Sequence, residues 1–243
     1  MRRSFSMCLP VFGLLILTGC GSTNELDASN AQEGITEKPK IALVMKSLAN
    51  EFFVNMATGA QAHNTANEDR YELVTNGIRN ESDLAQQVAL VDQMIGIGVE
   101  AIVIAPADSK ALVPALYRAV NAGIVVINID NRLDPEVLVD YQIQIPFIGP
   151  NNRRGAKLVG DYALKSLSAD SQIAILEGIP SAYNSIQRRT GFEEAASEAG
   201  MEVVSLQSGE WDQTKAAQIT AGILSQFPGL DVIFAANDNM ALG

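Results

Sequence analysis

Four side chains with binding chemistry follow one apolar run. After "IALV" (Ile41–Val44) come Lys46, Asn50, Phe52 and Phe53. A second group follows "IVVINI" (124–129): Asp130, Asn131 and Arg132, with Asn128 inside the run. Later in the chain Asn184 and Arg188 lie in "PSAYNSIQRRTGF", Trp211 in "SGEWDQ" and Asn237 at the end of "VIFAAND". This inventory suits a ligand rich in hydroxyls. Flat rings cover the apolar C–H faces of such a molecule. Asp accepts from its edge, Arg donates through a fixed fork, and Asn does both.

The same inventory suits catalysis poorly. The single histidine, His63, sits in mid-helix without a cysteine or serine partner. No Cys/His metal cluster is present in the sequence, and "GIGVEA" (96–101) places its glycines after a helix and before a strand, the reverse of a dinucleotide loop. The sequence therefore points to a binding protein rather than an enzyme, with no cofactor and no metal.

The elements that must position these residues alternate. Short apolar runs at 41–45, 71–75, 101–105, 124–129, 172–177, 201–206 and 231–236 read as strands. Helical patterns near 50–67, 82–97, 109–122, 152–167, 186–199 and 213–226 lie between them, and 130–149 reads as irregular. Strands apolar on both faces and separated by amphipathic helices predict parallel sheets covered on both sides. Right-handed crossovers make each set doubly wound. The runs IALVM, AIVIA and IVVINI are the most apolar and are assigned to central positions. Two series of such units, before and after about Pro150, predict two similar α/β lobes joined by a hinge, at 40–150 and 151–243. The second is expected to be incomplete, because "NDNMALG" leaves only about one helical turn after the last strand. In open sheets of this type ligands bind beyond the carboxyl ends of the strands, where the polar and aromatic residues above lie.

Residues 1–19 read as an export signal. Arg2 and Arg3 precede the apolar run Met7–Leu17, which is too short for a membrane span of roughly 20 residues. "LTGC" (17–20) resembles the lipobox of bacterial lipoproteins. That resemblance implies lipidation of Cys20, with 20–39 as a polar tether and an anchored position on the periplasmic or cell-surface face of a membrane. Removing the signal leaves 15 basic against 28 acidic residues, a charge of −13, which argues against nucleic acid as a partner.

The order and spacing of "SLANEFF", "VIAPADS", "NIDNRLD", the R-x-x-G-F of Arg188–Phe192 and "FAANDNMALG" resemble the periplasmic sugar-binding proteins of ABC transporters, the ribose- and galactose-type group. The resemblance covers 40–243. It implies the type I periplasmic-binding fold, a monomer, a monosaccharide held between two lobes, and delivery to an ABC permease. It assigns ligand contact to Asn50, Phe52, Phe53, Asp130, Arg188, Trp211 and Asn237. Lys46, Asn184 and Arg132 join them as candidates. Two departures stand out: Asn131 displaces Arg132 by one position from the family's Asp–Arg pair, and Ala105 occupies the place of an asparagine contact. Phe52 and Phe53 point about 100° apart on a helix, so only one of them is expected deep in the core. The alternative function is a ligand-sensing domain, for a sugar, an autoinducer or a nucleoside, in a signalling or regulatory protein.

Overall fold

The computed structural model describes residues 38–243. The signal, Cys20 and most of the tether read from the sequence lie outside the described residues. The first sheet contains β1 (Lys40–Ser47), β2 (Glu72–Ile78), β3 (Ala101–Ile104), β4 (Val125–Ile129) and β5 (Phe147–Ile148), all parallel, in the order β2-β1-β3-β4-β5. The second contains β6 (Gln172–Glu177), β7 (Glu202–Ser208) and β8 (Leu230–Ala235), also parallel, in the order β7-β6-β8. The three runs assigned to central positions are β1, β3 and β4, and each has neighbours on both sides.

Helices α1 (Glu51–Thr65), α2 (Leu84–Ile97), α3 (Val113–Asn121) and α4 (Pro135–Asp140) belong with the first sheet. Helices α5 (Asn152–Leu164), α6 (Tyr183–Glu198), α7 (Gln213–Gln226) and α8 (Asp238–Leu242) belong with the second. The period-2 alternation of a strand explains why both faces need cover. Along β1, Ala42 and Val44 pack with Met94 of α2 and Leu116 of α3, whereas Leu43 and Met45 pack with Phe53 of α1. In β6, Ile173 and Ile175 meet α5 and α6, whereas Ala174 and Leu176 meet α7, α8 and Trp211.

Local signals set the helix ends. Asn50, Asp83, Asn151, Asp212 and Asn237 accept hydrogen bonds from first-turn amides, and Gly98 ends α2 with φ 71°, a left-handed conformation that glycine adopts freely. Two expectations need correction. Asp108 caps a turn rather than a helix, its Oδ1 accepting from the amides of Lys110 and Ala111, so α3 starts later than the pattern predicts. The stretch read as irregular contains α4 and β5; Asp134 caps that helix with Pro135 at its first position.

In both sheets the winding reverses beside the first strand, and the chain leaves β1 and β3 in opposite directions. The gap is closed by Gln87 of α2, which is fully buried. Its Nε2 donates to the carbonyls of Met45 (3.3 Å) and Ala105 (2.8 Å), and its Oε1 accepts from the Ala107 amide (2.7 Å). Met45, Ala105 and Ala107 lie beyond the last β1–β3 pair, Val44 with Ile104, and all three residues are buried. Gln87→Leu is expected to lower unfolding free energy by about 2–4 kcal/mol, since each orphaned buried polar group costs about 1–3 kcal/mol. Urea unfolding with an unchanged m-value and a reduced midpoint is the check.

Candidate functional site

A cavity of about 680 Å³ opens where the carboxyl ends of the two sheets face each other. Its first-sheet side carries Lys46, Asn50, Phe52, Phe53, Glu81 and Asp130. Its second-sheet side carries Asn152, Asn184, Arg188, Trp211 and Asn237. A cavity of this size lies within the usual range for small-molecule sites.

Lys46 lies at the centre, at the end of β1, and is 2% exposed. Its ammonium is 3.3 Å from Asp130 Oδ2 and 3.8 Å from Glu81 Oε2. It also lies 5.7 Å from the Phe53 ring centroid and 5.8 Å from that of Trp211, so one cation touches rings from both sides of the cavity. Asn50 accepts from the Phe52 amide and donates to Glu81 Oε1 at 2.9 Å. Burial pushes the Glu81 carboxyl upward, a shift opposed by the Lys46 charge and the Asn50 hydrogen bond. Phe53 is buried and Phe52 half exposed, with the rings edge to face at 5.1 Å. The two phenylalanines thus divide as helix geometry requires.

Asn184, Arg188 and Phe192 repeat at four-residue spacing and line the cavity from one face of α6. Arg188 donates from Nε to Asn152 Oδ1 (2.8 Å) and from Nη1 to the Ala236 carbonyl (2.6 Å). Its guanidinium lies 5.7 Å from the Trp211 ring. Burial lowers its pKa, while the Asp130 and Asp238 charges oppose the shift. The R-x-x-G-F segment has a local logic. Arg188 faces the cavity, a Cβ at Gly191 would overlap the Arg153 carbonyl of α5, and Phe192 stacks on Phe234 at 4.7 Å.

Two cavity residues hold unusual backbone conformations. Asp130 has φ 59° and Trp211 has φ 67°, with Glu210 beside it at 50°. The left-handed region costs a non-glycine residue roughly 1–2 kcal/mol, and such strain gathers at functional sites. Asn237 contributes its side chain to the first turn of α8 and donates to the Trp211 carbonyl at 3.4 Å.

All but one of the residues predicted to contact ligand line this cavity. Arg132 does not. The turn at Asp130 buries Asn131 and sends Arg132 outward, where its guanidinium lies 6.0 Å from the Phe147 ring and 5.9 Å from that of Tyr183. Asn131, the residue in the place of the family arginine, does not line the cavity either. Ala105 is fully buried in the core under α1. Glu81 and Asn152 were missed. Glu81 stands in "RNESD", and its position after β2 is a signal of the kind used elsewhere. Asn152 is the first residue of α5, directly behind its cap Asn151.

Several buried polar atoms of cavity residues find no hydrogen-bond partner in the protein. Asn184 Oδ1 is an acceptor, and Asn152 Nδ2 and Trp211 Nε1 are donors; Asp130 Oδ2 has no hydrogen bond either and meets only the Lys46 ammonium. The cavity cations already have carboxylates or carbonyls near them, so the site has no need of an anion. Donors and acceptors between aromatic rings fit a neutral, hydroxyl-rich molecule. His63 lies apart, exposed on α1, with Nδ1 2.7 Å from the Tyr71 hydroxyl. Among the described residues no group of three or more His, Cys, Asp or Glu is placed to hold a metal ion, and no helix is long and apolar enough to cross a membrane.

The family model described as "Periplasmic binding protein domain" matches residues 41–243. The chain belongs to the periplasmic binding proteins. A relative from Pseudomonas aeruginosa, the D-ribose/D-allose-binding protein, is 51% identical over 229 residues, covering 94% of this chain and 71% of the relative. The ribose import binding protein RbsB of Bacillus subtilis is 28% identical over 100% of this chain and 76% of its own length. Among solved structures, an ABC transporter solute-binding protein from Burkholderia multivorans superposes with TM-score 0.84 at 51% identity, over 85% of this chain and 73% of that one. Another, from Actinobacillus succinogenes with bound D-allose, gives TM-score 0.78 at 36% identity, over 85% and 71%. The parallel sheets and their facing carboxyl ends are therefore the type I architecture of these binding proteins.

Trp211 rests on Gly178, where a Cβ would overlap the indole ring. In this periplasmic binding protein Gly178→Ala is expected to displace the ring and weaken ligand binding about tenfold, the upper range for one aromatic contact. Calorimetric titration of the variant against the parent protein measures it.

Proposed function

We propose that this periplasmic binding protein takes up a neutral monosaccharide of the ribose or allose class between its lobes and presents it to an ABC permease. One observation carries the reading. Rings from both sides of the cavity flank buried donors, on Asn152 and Trp211, and a buried acceptor, on Asn184, that the protein itself leaves unpaired. A sugar offers each of them a hydroxyl, and its ring faces suit Phe52 and Trp211. The relatives named above, one binding D-ribose and D-allose and another solved with D-allose, support the same ligand class.

The site residues of this proposal are Lys46, Asn50, Phe52, Phe53, Glu81, Asp130, Asn152, Asn184, Arg188, Trp211 and Asn237. The first lobe runs to about Pro150 and the second from there. Ligand contacts from both lobes shift an open–closed equilibrium toward the closed form, which the permease reads. The protein acts as a monomer, without covalent chemistry. Signal removal before Cys20, lipidation of that residue and a tether to about residue 39 hold it at the membrane; the sequence pattern alone supports this part.

Thermal-shift screening against D-ribose, D-allose, other pentoses and hexoses, and nucleosides tests the ligand class. Stabilisation by a ribose- or allose-type sugar at micromolar concentration is the expected result. Asp130→Asn, chosen because asparagine tolerates the left-handed backbone, is expected to weaken binding about 10- to 100-fold, the loss of a charged hydrogen-bond acceptor. Indifference to every sugar, together with a response to a nucleoside or another metabolite, would replace the ligand class.

A further inference from the structure

Helix α6 carries Asn184 and Arg188 into the cavity, yet it begins without a cap of its own. Its N-cap residue is Ala182, which has no side-chain acceptor to offer. The first amides of a helix have no partner inside it and are met by side chains, water or another group. Here they are met from the opposite lobe. The Tyr183 amide donates to Ser109 Oγ at 3.0 Å, and the Asn184 amide donates to Asn131 Oδ1 at 3.1 Å. Ser109 and Asn131 follow β3 and β4 of the first sheet, and both are buried. Asn131 is fixed in turn, its Nδ2 donating to the Pro106 carbonyl at 3.0 Å and its own carbonyl accepting from Asn128 Nδ2 at 2.8 Å. A third contact crosses beside them, from Ser181 Oγ to Asp108 Oδ2 at 3.0 Å. Arg132, displaced from the cavity, covers the Tyr183 ring at the same junction.

We infer that Ser109 and Asn131 are positioning residues: they complete the N-terminal cap of α6 from the other lobe and so couple lobe closure to the placement of Asn184 and Arg188. The coupling has a direct physical basis. When the lobes part, the two α6 amides lose their acceptors and turn to water. The first turn, which bears Asn184, then has no protein side chain to hold it. When the lobes meet, the cap forms and the closed state gains hydrogen bonds that owe nothing to the ligand. The cap therefore acts on the open–closed equilibrium before ligand arrives, and on affinity through that equilibrium. It also gives Asn131 a role in place of the arginine that the family pattern would put there.

The inference rests on the reading that the lobes close around a sugar, so its test has an arm that needs no sugar. In a Cys8→Ser, Cys20→Ser background, spin labels at the exposed helix positions Gln61 and Ser225 report lobe separation by double electron–electron resonance. In ligand-free protein, Ser109→Ala is expected to move the distance distribution from the parent's toward that of more open lobes, and Ser109→Thr, which keeps the hydroxyl, is expected to restore it. Ser181→Ala, a second variant outside the cavity, is expected to act in the same direction as Ser109→Ala. With D-ribose or D-allose as the probe, Ser109→Ala is expected to bind about fivefold more weakly, the equivalent of one helix-cap hydrogen bond, and Ser109→Thr to match the parent. An unchanged ligand-free distance distribution in both alanine variants, with only a lowered melting temperature, would show the cap to be a permanent structural contact and overturn the inference. If the parent binds neither sugar, the ligand class fails, while the ligand-free distances still decide the role of the cap.

Discussion

Parallel strand pairing is the constraint from which the rest of the structure follows. A parallel pair cannot be closed by a tight turn, so each connection crosses back over the sheet as a helix or long loop. Both faces are then covered, and every strand ends on the same edge. The polar residues that the strands carry reach ligand where the strands stop. Lys46 ends β1, Asp130 follows β4, Trp211 follows β7 and Asn237 follows β8. Two sheets built this way, with their carboxyl edges facing, gather residues distant in sequence into one cavity. Where the winding reverses and the strands part, Gln87 replaces the missing ladder hydrogen bonds.

The cavity is polar without demanding a charged ligand. Lys46 is held by two carboxylates and two rings, and Arg188 by an amide, a carbonyl and Trp211. A buried cation without such partners would be too costly to keep ionised. With the charges answered internally, the remaining unpaired atoms set the ligand's chemistry, and they include both donors and acceptors. The strained backbones of Asp130 and Trp211 fit the same account, because each aims a side chain that an ordinary conformation would send elsewhere.

Much of this was legible in the sequence because apolar runs mark strands, and strand ends mark the site. The parallel sheets, their central strands and the cavity positions of Phe52, Phe53, Asp130, Arg188 and Trp211 follow from that rule. Other features depend on tertiary direction, which periodicity does not encode. Arg132 stood out as displaced by one position, but only the left-handed turn at Asp130 shows that it leaves the cavity. Glu81 stands in a polar loop, and only the fold of that loop after β2 brings it against Asn50 and Lys46. The cap of α6 was hidden for another reason: its acceptors lie in the other lobe, far away in sequence.

Trp211 is the chain's single tryptophan and lies in the wall of the cavity, so its fluorescence reports on the central claim directly. Titration with D-allose and D-ribose should change the emission in a saturable way, with the same dissociation constant as calorimetry gives, and Asp130→Asn should weaken both signals together. Heat of binding without any change in Trp211 emission would place the ligand outside this cavity and contradict the account.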